Sequence, residues 1–202
     1  MVTATIETQS LMDEPEVIDA VVPHRWTREE YERMVDAGAF EGMRIELVDG
    51  VIYEMTPQSS PHAGLTTIIA ELLGEVFPRS GHVIRQHSPL ALAESSPEPD
   101  VAVVPLDPTG KQYLSSHPTS AFLVVEVADS SLYHDRKRKS AMYAEAGIPE
   151  YWIVNLKTNR LEILREPRRK SYRSRTLLGA GDSISPVACP EATIPVSKLF
   201  PE

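Results

Sequence analysis

Between residues 122 and 131 the chain reads Phe-Leu-Val-Val-Glu-Val-Ala-Asp-Ser-Ser. Side chains alternate along a strand, so Phe122, Val124 and Glu126 share one face while Leu123, Val125 and Val127 share the other. Both faces are apolar, which predicts a central strand buried on two sides. That placement sets a problem for Glu126, because moving an isolated carboxylate out of water costs several kcal/mol or forces it to take up a proton. Glu126 therefore requires partners. The segment that follows, His134-Asp-Arg-Lys-Arg-Lys-Ser-Ala-Met-Tyr143, sets Asp135, Lys139 and Tyr143 four residues apart, on one face of a helix predicted over 135–146. Gly147 and Pro149 form its stop signal. Asp135 and Lys139 also fit a solvated helical ion pair. What favours a site is adjacency, since a short loop joins the strand to a helix that can return Lys139 towards Glu126.

With 202 residues, 42% of them hydrophobic and 24% charged, the chain can bury one well-formed core. No apolar run approaches the roughly 20 residues of a membrane span, and the N-terminus lacks the basic start and apolar stretch of a secretory signal, so a cytoplasmic protein is expected. Cys189 is the single cysteine, which rules out an intrachain disulfide and a multi-cysteine metal site and reads as a buried thiol. The net charge of −9 argues against indiscriminate nucleic-acid binding, which needs a broad positive field. Much of that charge is local. Residues 1–22 contain Glu7, Asp13, Glu14, Glu16 and Asp19 and no Lys or Arg, and are read as an acidic, flexible tail ahead of a single domain at 23–202.

Thr27-Arg-Glu-Glu30 has the form of a capping box and starts a helix to about Asp36. Asp49-Gly50 then joins two alternating segments, Met43–Val48 and Val51–Met55, into a hairpin. Ile45 and Leu47 fall on one face and Arg44, Glu46 and Val48 on the other, so Glu46 is either a solvated hairpin residue or part of a site. Ser60, as N-cap, and Pro61, at the first helical position, open a helix to about Phe77 with a continuous apolar stripe. His62 near its start fits a surface or capping role and, alternatively, a phosphate contact. A strand at 82–92 is interrupted near Pro89, and Pro99 leads Asp100 into a short apolar strand or a turn. Residues 107–119 read as a loop. Tyr151–Asn155 is a further core strand, paired with Arg160–Arg165 through Lys157-Thr-Asn159. Arg165, Arg168, Arg169, Lys170, Arg173 and Arg175 then surround Tyr172, either as a solvated edge or as a patch for phosphates. Short strands at 179–182 and 193–196 are expected to complete an edge.

Glu46, Asp100 and Glu126 supply hard oxygen donors suited to Mg²⁺ or Mn²⁺. A divalent ion so held could polarise a phosphodiester while Lys139 stabilises the charge that develops.

Glu46-Leu-Val-Asp-Gly50, Ser60-Pro-His62, Pro99-Asp100-Val, Val125-Glu126-Val with Ser130, Asp135-x-x-x-Lys139-x-x-x-Tyr143 and Ala146-Gly-Ile-Pro-Glu-Tyr-Trp-Ile-Val154 occur in that order. The series resembles the large bacterial family of restriction-endonuclease-like proteins within the PD-(D/E)xK nuclease superfamily, over about residues 25–200. The resemblance implies an α/β fold with a restriction-endonuclease-like core: a central mixed sheet flanked by helices, with additional β-hairpins. It implies that Glu46 is the acid preceding the core, Asp100 the motif aspartate and Glu126 the second acid, all three as metal ligands. A plain D/E-x-K motif would place lysine at position 128, which is Ala128 here, and Lys139 is its implied replacement. The function implied is that of a Mg²⁺-dependent (or Mn²⁺-dependent) DNA endonuclease acting as a homodimer, with His62, Tyr143, Arg168, Arg169, Lys170 and Arg173 expected to meet the substrate. The alternative is a catalytically silent nucleic-acid- or protein-binding module that keeps the same fold.

Overall fold

In a computed structural model of the chain, the described residues are 22–107 and 112–200. The acidic segment lies outside them except for Val22. Helix α1 (Arg28–Asp36) starts at the capping box, with the Thr27 side chain accepting from the Glu30 N–H and the Glu30 side chain accepting from the Thr27 N–H. Strands β1 (Ile45–Val48) and β2 (Val51–Glu54) pair antiparallel around Asp49-Gly50, and both turn residues have positive φ. Ile45 and Leu47 pack with Tyr31 of α1, whereas Val48 belongs to the apolar layer of the main sheet. The hairpin is thus wedged between α1 and the sheet, and Glu46 points inward. A solvated Glu46 is excluded, because it is completely buried.

Helix α2 (Ser60–Val76) is capped by Ser59, whose hydroxyl accepts from the His62 N–H, one residue earlier than the sequence suggested. Pro61 needs no amide partner at that position, so either serine could precede it, and Ser59 is the one with extended backbone. Strand β3 (His82–Gln86) ends well before Pro89, and β4 (Val101–Pro105) follows Asp100 directly. Within the expected loop at 107–119, Gln112–Ser115 forms a short helix, α3, and residues 108–111 lie outside the described part. Strand β5 (Leu123–Ala128) is buried at every position.

The helix after β5 starts earlier than expected. It consists of α4 (Leu132–His134), a π-helical turn (Asp135–Lys139) and α5 (Ser140–Glu145), with helical backbone through the junctions. Gly147, at φ 73°, closes it. Strands β6 (Glu150–Asn155), β7 (Arg160–Arg168) and β8 (Ser171–Leu178) complete a six-stranded sheet in the order β3-β4-β5-β6-β7-β8. Only β5 and β6 run parallel, so the sheet is mixed and the α4–α5 segment is the crossover between its two central strands. One face, with Val101, Val103, Leu123, Val125 and Trp152, packs on Leu65, Ile69 and Leu73 of α2; the other, with Val124, Tyr151 and Ile153, packs on Met142 and Tyr143 of α5. The last short strands, β9 (Ser183–Ile184) and β10 (Ile194–Pro195), do not extend the main sheet but pair with each other, and their apolar residues join the α2 side of the core, as does buried Cys189. Among the described residues, no helix is long and apolar enough to cross a membrane.

Candidate active site

Three elements bring their polar ends to one place. Strand β5 itself supplies Glu126, the entrance of β4 supplies Asp100, and β1 supplies Glu46. They line one cavity of about 270 Å³ together with Lys139, His62 and His134. All three acids lie deep, with exposures of 0% for Glu46, 6% for Asp100 and 4% for Glu126. The partners demanded by Glu126 are present. The Lys139 ammonium lies 2.9 Å from Glu126 Oε1 and 3.1 Å from Glu46 Oε2, so one cation bridges the two carboxylates. The Tyr143 hydroxyl donates to the same Glu126 oxygen at 2.8 Å, and the Glu98 N–H donates to Glu46 Oε2 at 3.2 Å.

The π-helical turn explains how Lys139 arrives there. Its characteristic bond runs from the Ser140 N–H to the Asp135 carbonyl, one residue longer than in an α-helix. Asp135 and Lys139 at its ends are buried, whereas Arg136, Lys137 and Arg138 between them are exposed. One charged run therefore sends two residues into the site and three to solvent. Tyr151 Oη donates to the Asp135 carbonyl at 3.3 Å, and Ser131 Oγ donates to its carboxylate at 2.6 Å, which ties the turn to β6 and to the loop after β5.

Asp100 is held differently. Oδ2 accepts from the Val127 N–H at 2.8 Å and stands 3.2 Å from His62 Nε2, while Oδ1 accepts from Gln58 at 3.3 Å and lies 3.5 Å from His87 Nδ1. The bond to Val127 ties Asp100 to the strand that carries Glu126. Burial alone would lower the basicity of His62, but the Asp100 carboxylate outweighs it and raises the pKa above the ordinary value. For His87 burial prevails and the pKa is lowered.

The charges of the cluster divide unevenly. Burial disfavours a charged Lys139, yet Glu126, Glu46 and Asp135 together raise its pKa and keep it cationic. Burial also opposes ionisation of Glu46, but Lys139, His134 and the Glu98 amide hold its carboxyl below the ordinary value. Burial pushes Glu126 well above the usual carboxylate range, with Asp100, Asp135 and Glu46 adding to it against the pull of Lys139. Burial thus biases Glu126 towards its protonated form, whereas Lys139 and its other partners bias Glu46 towards its charged form.

Glu46 Oε1 is buried without a hydrogen-bond partner, as is His134 Nε2, 3.8 Å away. An orphaned carboxylate oxygen beside two further acids is a donor set that fits a hard divalent cation. Among the described residues, no three acidic, histidine or cysteine side chains already stand as a coordination sphere. Tyr143 is completely buried and is not one of the residues lining the cavity. Arg168, Arg169, Lys170 and Arg173 lie on the exposed β7–β8 hairpin and do not line it either. Gln58, His87, Ser131 and His134 line or support the site without any local sequence signal; only the tertiary fold brings them to the ends of β4 and β5.

A mixed sheet with acids at the ends of its central strands and a lysine returned from the crossover helix defines a nuclease-like α/β domain of the restriction-endonuclease kind. The chain belongs to the family Uma2, described as "Putative restriction endonuclease", which it matches over residues 28–197. Its fold is also that of a solved structure from Anabaena variabilis ATCC 29413, described as a "putative nuclease belonging to DUF820", with a TM-score of 0.70 at 12% identity, covering 87% of this chain and 97% of that one. No protein of curated function matches the chain.

Proposed function

We propose that the protein is a Mg²⁺- or Mn²⁺-dependent DNA endonuclease of the cytoplasm that hydrolyses phosphodiester bonds. The observation that carries this reading is the bridging of Glu46 and Glu126 by Lys139, at the wall of the cavity that Asp100 also lines. Asp100, Glu126 and Glu46 would hold the divalent ion, which supplies Lewis-acid polarisation of the phosphate when bound. Lys139 contributes a fixed positive charge where negative charge accumulates on the phosphoryl oxygens, in a site shielded enough from water for that charge to act strongly. Tyr143 and Glu46 keep its neighbourhood rigid, so little reorganisation is needed during reaction. The Val127 N–H and His62 orient Asp100 and leave it little rotational freedom.

One chain supplies all four side chains of the proposed site, Glu46, Asp100, Glu126 and Lys139. A homodimer is part of the proposal only for cutting both strands of a duplex, where two symmetric sites are the simplest solution. The test is plasmid nicking with Mg²⁺ or Mn²⁺ by the wild type and by Glu126→Gln and Glu126→Ala, after thermal melts show that the variants fold. Nicking lost in both variants supports the reading. Nicking unchanged in the variants refutes it, and a folded wild type that binds nucleic acid or protein without cleaving identifies the silent binding module instead.

A further inference from the structure

We propose that the mouth of this cavity docks unpaired DNA, with Tyr133 as a stacking platform for a base and Arg138, Lys137 and Arg44 as phosphate contacts. The inference rests on the nuclease reading and names its substrate class. Three observations carry it.

The first is depth. The acids are almost completely buried at the floor of a cavity of about 270 Å³. A phosphate in continuous duplex is held on a rigid cylinder with a second strand alongside, whereas an unpaired strand can bend down to a recessed site. Enzymes whose target is out of reach within a duplex act on single strands or extrude a nucleotide.

The second is an aromatic ring with no structural employment. Tyr133 is 76% exposed on α4, between Leu132 and His134, and forms no side-chain hydrogen bond or ring contact among the described residues. Ser131 and His134, on either side of Leu132-Tyr133, line the cavity, so the ring is carried by the segment that forms its wall. Bases stack on such rings irrespective of sequence.

The third is the location of the uncommitted cations. Half of the basic run that the sequence singled out is committed, with Arg165 bound to Glu150, Arg175 to Glu162 and Lys170 to Glu145, while Arg168, Arg169 and Arg173 make no ion pair among the described residues but lie on the exposed hairpin, outside the cavity lining. Arg136 is likewise held by Glu162. Lys137, Arg138 and Arg44, in contrast, make no ion pair among the described residues. Arg44 lines the cavity, and the Arg138 guanidinium lies 5.9 Å from the ring centre of Tyr53, another lining residue. Two cations outside ion pairs, Arg44 and Arg138, therefore stand at the cavity, on a chain whose net charge of −9 gives no broad attraction for a duplex.

Fluorescence anisotropy with a labelled DNA strand, the same strand in duplex form and the same sequence as RNA tests the proposal. The full chain is used in EDTA, so that binding is measured without cleavage. The single DNA strand is expected to bind about tenfold more tightly than the duplex. Tyr133→Ala should weaken single-strand binding by about tenfold, as loss of one stacked base does, while Tyr133→Phe retains it. Lys137→Ala/Arg138→Ala should flatten the slope of log affinity against log salt by about 1.4, about 0.7 per phosphate contact on a single strand. Duplex bound as tightly as the single strand, an unaffected Tyr133→Ala, or a preference for RNA would each overturn the proposal. Single-strand preference without any metal-dependent cleavage would instead overturn the nuclease reading and leave the docking surface standing.

Discussion

Replacing Lys139 by methionine is the sharpest perturbation of the cluster, because it keeps most of the side-chain volume and removes only the charge. The ammonium lies 2.9 Å from Glu126 and 3.1 Å from Glu46, and is itself only 2% exposed. Its loss leaves two buried carboxyls without a cation. Breaking a buried pair by removing one partner costs about 3–5 kcal/mol. Here Glu126 can escape by taking up a proton, towards which burial already biases it, so the unrelieved charge is essentially that of Glu46. The expected loss is therefore near the lower bound, about 3 kcal/mol, or a fall in Tm of about 6–12 °C for a chain of this size. Urea titration of Lys139→Met measures it. In Glu46→Gln/Lys139→Met the stranded charge is gone, so most of the loss should return, with a coupling of about 2 kcal/mol between the two positions. Nicking activity should be absent from both variants. An unchanged urea midpoint in Lys139→Met would refute the bridging argument, as would a double mutant that loses the sum of its single mutants.

Tyr143→Phe removes one of two donors to Glu126 Oε1; with Lys139 retained, a loss of about 1.5 kcal/mol in urea titration is expected, and a neutral result would show that Lys139 alone suffices. Gly50→Ala forces a side chain onto a residue at φ 73° and places its Cβ 2.8 Å from Arg25 Cβ, so it should destabilise the fold by more than about 1 kcal/mol, read by thermal melting. Glu162 is gripped by Arg136 and Arg175; burial would raise its pKa, but those hydrogen bonds hold it below the ordinary 4.5. A depressed folded-state pKa contributes stability that is complete above the unfolded value and is lost as pH falls through the folded one. Wild type should therefore lose this contribution below about pH 4.5, whereas Glu162→Gln, less stable by about 1 kcal/mol at pH 7 because both arginines are partly exposed, should show a smaller acid dependence. Parallel acid-unfolding curves would refute the assignment.

Most elements could be read from local chemistry. The capping box fixed the start of α1, Asp49-Gly50 fixed the hairpin, and the two-sided apolar run marked β5 as central. The errors fell where local signals are degenerate. Ser59 and Ser60 are equally competent caps before Pro61, and only the backbone conformation distinguishes them. The crossover helix starts three residues earlier than its charged face suggests, after Ser131, whose side chain makes no cap bond and instead donates to Asp135. A π-helical turn leaves no mark in hydrophobic periodicity when every residue in it is charged. The terminal strands looked like sheet edges because two-residue strands carry no information about their partners.

The sequence by itself determined that Glu126 had to be compensated or protonated, since an unpaired carboxylate in a doubly apolar strand is too costly, and it nominated Lys139 from helical spacing. Tertiary structure decided the rest. It turned Glu46 from a candidate for solvent into a fully buried partner by wedging β1 between α1 and the sheet. It also paired Arg165, Arg175 and Lys170 with Glu150, Glu162 and Glu145, and placed Arg44 and Arg138, which make no ion pair among the described residues, at or beside the cavity. The physical reason is that periodicity records which face of an element is apolar, whereas the partner of a charge is set by elements distant in sequence, and Lys139 meets Glu46 across 93 positions only because the crossover helix and the hairpin converge on the ends of β4 and β5.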